Sequence, residues 1–158
     1  MVAEVVAAVV FDPAKDELFS AEKGDGAFVN DQRLRVSGRR DMNSAIFATG
    51  VPFGGRGTLP ATLKDLARLM PVCTGVRRWG SAALDLAYVA AGRYDGYWER
   101  GINAWAVAAR RSSPLTVSMV RPNTSAAVAR CTSAPDSNAP TRPGSPDRWA
   151  MMRSSICE

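Results

Sequence analysis

The sequence predicts an α/β layered sandwich over residues 1–109 and an irregular tail over residues 110–158, and three observations predict it. Strand-like and helix-like segments alternate from Val5 to Glu99, which favours helices layered on sheets over a helical bundle. The length of 158 residues is one domain's worth of chain, with 46% apolar residues to fill a core. From Arg110 onward the alternation stops, because Pro114, Pro122, Pro135, Pro140, Pro143 and Pro146 break any long element and Ser, Thr and Ala fill the gaps.

Taken in order, Val5 to Phe11 is a continuous apolar, β-branched run closed by Asp12-Pro13, the pattern of a strand covered on both faces and ended by a turn. Glu17–Glu22 and Ala27–Asn30 flank Lys23-Gly24-Asp25-Gly26, a β-hairpin pattern. Ser44–Thr49 reads as a further strand. Thr58–Met70 places Leu59, Leu63, Leu66, Ala67 and Met70 at helical spacing opposite Lys64, Asp65 and Arg68, so an amphipathic helix is expected there, stopped by Pro71. A second helix starts at Ser81 as its cap and stops at Gly92, with Asp85 near its start where a negative charge suits the helix dipole. Tyr94–Glu99 follows as a strand.

Composition narrows the chemistry. Histidine is absent, which excludes Ser/His/Asp and Cys/His nucleophiles, imidazole acid–base catalysis and His-ligated metals. Cys73, Cys131 and Cys157 are widely spaced and odd in number, so they suggest neither a zinc cluster nor a disulfide framework, and a cytoplasmic location is expected. No apolar run is long enough to span a bilayer, and no membrane association is expected. Of the net charge of +5, four units come from residues 110–158, which hold 7 Arg against 3 acids. A folded basic surface for nucleic acid is therefore not expected.

Three stretches are candidates for chemistry. Gly24-Asp25-Gly26 lacks the spacing, the Lys-Ser/Thr ending and the following helix of a phosphate loop, and reads as a hairpin turn. Trp79-Gly80-Ser81-Ala82 is a small-residue turn into a helix, either plain capping or a place where free backbone N–H groups meet anions or hydroxyls. In Tyr94-Asp95-Gly96-Tyr97-Trp98-Glu99-Arg100-Gly101 a carboxylate ends an aromatic strand; Glu99 is either solvated or a grip for substrate hydroxyls. The pairs Arg39-Arg40, Arg77-Arg78 and Arg110-Arg111 read as solvated faces.

These residues also carry a likeness. Val9-Val10-Phe11-Asp12-Pro13, then Asp16 through Asn30, then Ala48-Thr49-Gly50-Val51-Pro52-Phe53, then Gly80-Ser81-Ala82-Ala83-Leu84-Asp85-Leu86-Ala87 and Gly92 through Glu99, in that order, closely resemble the inositol monophosphatase family, its bacterial members most. The likeness covers about residues 3–109. It implies part of a layered αβαβα sugar-phosphatase fold, truncated on its N-terminal side and replaced by an irregular tail on its C-terminal side. It further implies Mg²⁺-dependent hydrolysis of inositol 1-phosphate and related sugar phosphates, and a homodimer.

Within that likeness Gly80, Ser81 and Ala82 match the helix start that meets the sugar, and Glu99 matches the acid that hydrogen-bonds its hydroxyls. Magnesium needs clustered carboxylates, because it prefers hard oxygen ligands. The family draws these acids from an N-terminal Glu, an Asp-rich loop and an Asp directly after Trp. The first two places fall outside the sequence, and the third falls on Ala106, after Trp105. The resemblance thus gives this chain no catalytic residue and no metal ligand, and Mg²⁺ is not expected to bind it. Two expectations follow: a phosphatase by descent that is inactive alone, with a frameshifted or degraded tail, or a non-catalytic pseudoenzyme that retains dimerisation or sugar-phosphate binding.

Overall fold

The computed structural model describes residues 6–54 and 59–100, together with the backbone of two strands further on, Thr116–Val117 and Ala126–Thr132. Four strands form an antiparallel meander in the order β1-β2-β3-β4: β1 (Ala7–Asp12), β2 (Glu17–Glu22), β3 (Gly26–Val29) and β4 (Gln32–Arg33). The hairpin expected around Lys23-Gly24-Asp25-Gly26 is there, with Phe19 opposite Val29 and Glu22 opposite Gly26.

A second sheet has the order β6-β5-β7-β9-β8, built from β5 (Ile46–Thr49), β6 (Gly75–Arg77), β7 (Gly96–Arg100), β8 (Thr116–Val117) and β9 (Ala126–Thr132). β5 runs parallel to both β6 and β7, so the C-terminal ends of all three strands lie at one end of the sheet. The two helices are the crossovers that parallel pairing requires. α1 (Leu59–Leu69) links β5 to β6, and α2 (Ala82–Ala90) links β6 to β7.

The layers follow from what each face buries. Phe19, Ala21, Ala27 and Leu34 of the meander region pack with Leu86, Tyr88 and Val89 of α2 and with Ala48 and Tyr97 of the second sheet. α2 is therefore the filling between the sheets. On the opposite face of the second sheet, Phe47 and Trp98 pack with Met42, Ala45 and Leu69. Polar ties fix the order: Asp12 accepts from the Tyr88 hydroxyl at 2.8 Å, Arg93 pairs with Glu17, and Asp95 accepts from the Ile46 N–H at 2.7 Å and from Arg39 at 3.1 Å.

Two expectations are corrected. β1 is covered on one face only among the described residues: Val9 and Phe11 alternate outward, Leu18 sits opposite Phe11 on β2, and all three are exposed. Of the expected stripe on α1 only Leu66 packs, partly buried, against the core of Phe47 and Trp98; the helix buries Thr62, Asp65 and Leu69 instead, while Leu59, Leu63 and Met70 are exposed. The reason is electrostatic, since Asp65 forms a two-bond pair with Arg100 of β7, at 2.7 and 2.9 Å, and this pairing rotates the helix.

Within residues 110–158, two strands are described. β9 pairs antiparallel with β7 from Gly96 opposite Arg130 to Arg100 opposite Ala126. Its sequence, Ala-Ala-Val-Ala-Arg-Cys-Thr, has no proline, so every residue keeps the N–H that a ladder needs. The rest of residues 110–158, like Trp105 and Ala106, lies outside the described residues.

Candidate functional site

Where the parallel strands end, the start of α2 meets them. Ser81 is the cap of that helix: its backbone is extended, and its Oγ accepts from the Leu84 N–H at 3.5 Å. The Asp85 N–H already bonds to the Ser81 carbonyl at 2.9 Å. The N–H groups of Ala82 and Ala83 have no intrahelical acceptor, so this end of α2 carries partial positive charge. Gly80, just before the cap, is exposed and has φ of +93°. Trp79 is held nearby, with Lys15 lying 5.1 Å from its ring centre and 4.5 Å from that of Tyr88.

Glu99 occupies the second half of the site. It is half-buried, one residue before the end of β7, and its Oε2 accepts from the Tyr97 hydroxyl on the same face of the strand. A side chain at Gly50 would run into its carboxylate, so the residue following β5 must be glycine for the acid to lie where it does. Burial, then the bond to Glu99 and its charge, push the Tyr97 phenol far above its usual range, which keeps it a donor.

Asp85 joins Glu99 from the first turn of α2. It is 1% exposed, and burial first, then the charge of Glu99, raise its carboxyl from 3.8 to about 7, against the opposing charge of Arg78. Its Oδ1 has no hydrogen-bond partner among the described residues. The arrangement is thus a wall with one accessible carboxylate, one buried acid and a helix start. It suits a ligand with hydroxyls to donate and oxygens to receive N–H groups.

A family model described as the inositol monophosphatase family matches residues 2–110. The chain belongs to that family. Among inositol monophosphatase relatives, the inositol-1-monophosphatase of Rhizobium meliloti is 56% identical over 106 residues, covering 67% of this chain and 40% of that protein. The Nus factor SuhB of Pasteurella multocida is 50% identical over 101 residues, covering 64% of this chain and 38% of its own. The crystal structure of the extragenic suppressor protein suhB from Bartonella henselae superposes with a TM-score of 0.73 at 32% identity, covering 97% of this chain and 57% of that one. The chain therefore has the mixed α/β fold of inositol monophosphatases in part, and spans about two fifths of the length of the curated relatives it matches.

Of the family positions named from the sequence, Gly80, Ser81 and Ala82 lie at the start of α2, and Glu99 lies by the first turn of the same helix, close enough for its charge to act on Asp85. Sequence reasoning missed Asp85 as part of this site. It read the residue as a favourable charge at a helix start, whereas the structure buries it. The signal available was its place one turn after the cap, on a helix apolar on more than one face.

The described residues do not supply a cluster that suits the magnesium ion the family implies. Mg²⁺ requires several hard oxygen ligands, and no group of three or more His, Cys, Asp or Glu side chains gathers among the described residues. Asp85 is in addition buried and held toward its neutral form. No helix among the described residues is long and apolar enough to cross a membrane.

Proposed function

We propose that this chain binds inositol phosphates and related sugar phosphates at the strand ends without hydrolysing them by itself. Glu99 accepts hydrogen bonds from ligand hydroxyls, and the Gly80-Ser81-Ala82 turn offers its N–H groups to ligand oxygens. The supporting observation is the convergence of Gly50, Tyr97, Glu99 and the start of α2 at the C-terminal ends of β5 and β7, where open α/β sheets bind ligands. Family membership supplies the ligand class: the family is generally Mg²⁺-dependent and acts on inositol phosphates.

Hydrolysis needs metal-holding acids, and the family position after Trp105 is Ala106, which has no oxygen to offer. A homodimer is part of the same proposal and is read by sedimentation. Titration calorimetry of the purified 158-residue chain with inositol 1-phosphate tests the binding. Glu99→Gln is expected to weaken it by about tenfold or more, the usual worth of a hydrogen bond to a charged group. Equal affinity in the variant overturns the role of Glu99. Phosphate release with Mg²⁺ above that of Glu99→Gln overturns the non-catalytic reading.

A further inference from the structure

We propose that Tyr97 is a positioning residue for Glu99: its ring is fixed in the core between the sheets, and its hydroxyl holds the Glu99 carboxylate in the one orientation that meets a ligand hydroxyl. The inference rests on the sugar-phosphate reading above and gives a role to a side chain that does not itself touch the ligand.

Other side-chain bonds in the described residues join distant elements. The Tyr88 hydroxyl on Asp12 and Arg93 on Glu17 each span 76 positions, and they tie α2 and the turn after it to the meander. Arg100 on Asp65 spans 35 positions and ties β7 to α1. Tyr97 and Glu99 are two apart on one strand, so the bond between them joins no elements. The hydroxyl still needs its partner, because Tyr97 is 2% exposed and a buried hydroxyl without a hydrogen bond is costly. A phenylalanine would fill the same space with no such demand. What the hydroxyl adds is therefore the placement of Glu99.

The acid is confined on a second side. A side chain at Gly50 would place its Cβ 2.2 Å from both Cδ and Oε1 of Glu99, so the carboxylate fills the notch that the glycine leaves, with Oε2 on the Tyr97 hydroxyl. The Gly50 N–H donates to the Trp98 carbonyl at 3.4 Å, which ties this notch to β7. No ion pair to Glu99 is made among the described residues, so the carboxylate is held by shape and by one neutral donor. It keeps lone pairs for a ligand, since each carboxylate oxygen accepts about two hydrogen bonds. A free glutamate side chain loses rotamer freedom when a ligand fixes it. One already held at two points loses little, and its hydrogen bonds to the ligand are correspondingly tighter.

Titration calorimetry with inositol 1-phosphate compares the full chain with Tyr97→Phe, which keeps the ring, and with Gly50→Ala, which keeps the hydroxyl but displaces the flexible end of Glu99. Each is expected to weaken binding about fivefold, and neither to weaken it further once Glu99→Ala is present. Packing alone would cost the same in both backgrounds. Unchanged affinity in Tyr97→Phe, or an equal loss with and without Glu99, overturns the positioning role. NMR without ligand reads the placement directly: three-bond couplings of Glu99 should report a single χ1 rotamer in the wild type and averaged rotamers in Tyr97→Phe. Averaging already present in the wild type, or a single rotamer kept in Tyr97→Phe, overturns the proposal. If Tyr97→Phe does not fold, the Tyr97 hydroxyl proton decides: slow exchange with water in the wild type and fast exchange in Glu99→Ala are expected, and fast exchange in both overturns it. Absence of calorimetric binding by the wild type overturns the sugar-phosphate reading, while the couplings still decide what holds Glu99.

Discussion

Strand β7 lies between two helices, and each sends one aspartate toward it with opposite outcomes. Asp65 of α1 meets the face that carries Trp98 and Arg100 and is gripped by the guanidinium through two bonds of 2.7 and 2.9 Å. Asp85 of α2 meets the face that carries Tyr97 and Glu99 and is met by negative charge. Side chains alternate along a strand, so neighbouring positions 99 and 100 put an acid on one face and a base on the other. The α1 face is thereby built for cohesion. The α2 face sets two acids against Arg78 with no ion pair between them among the described residues, which is the mark of a site more than of a scaffold.

Breaking the cohesive face has the largest expected effect. Asp65→Ala leaves Arg100 without this partner in a largely buried place, and the chain should lose about 3–5 kcal/mol of stability, read as a lowered denaturant midpoint. A loss below about 1 kcal/mol would mean that the pair is no tie between α1 and β7.

The same measurement at Asp85 should have the opposite sign. Because burial and Glu99 raise its folded-state value from 3.8 to about 7, the folded state binds the proton more tightly than the unfolded chain. The contribution of this group to stability is therefore greatest below about pH 4, falls as pH rises toward 7, and is level above that. Asp85→Asn keeps the shape and cannot ionise, so at pH 8 it should be more stable than the wild type, relative to pH 4, by on the order of 2–3 kcal/mol. Taking the difference between the two curves removes the carboxylates that behave conventionally. Glu17, whose carboxyl is lowered by Arg93, and Asp12, lowered by Tyr88, both gain as pH rises, equally in both proteins. A flat difference curve would show that Asp85 is as well compensated as Asp65.

This asymmetry also separates what could be read in the sequence from what could not. Local punctuation was legible: Ser81 caps α2, Gly92 follows its end with φ of +71°, and the Lys23–Gly26 segment turns a hairpin. These signals act within a few residues, where backbone preferences dominate. The facing of α1 was not legible, because its Leu59, Leu63 and Met70 stripe competes with Asp65, whose partner Arg100 is 35 positions away. β6, of three residues, is too short to announce itself, and β9 was obscured by the prolines on either side. Glu99 stood out through the family resemblance, whereas Asp85 was masked by a sound rule about helix starts that holds for solvated acids. Its burial is set by how α2 packs in the fold, which is not visible from the residues of α2 alone.

The smallest expected effect tests whether the helix start holds the unpaired acid in place. The Ser81 hydroxyl accepts from the Leu84 N–H at 3.5 Å, a long bond, so Ser81→Ala should cost about 0.5–1 kcal/mol, at the low end for a lost cap. Fraying of the first turn lets water reach Asp85, one turn along, and relieves the desolvation that is the largest cause of its raised value. The pH-dependent step described above should shrink in Ser81→Ala and return in Ser81→Thr, which restores an acceptor oxygen. The cost of Asp65→Ala should be the same in either background, since the two aspartates lie on opposite faces of the sheet and share no partner. A step of full size in Ser81→Ala would mean that the packing of Tyr88 and Val89 in the core, and not the cap, keeps the acid buried.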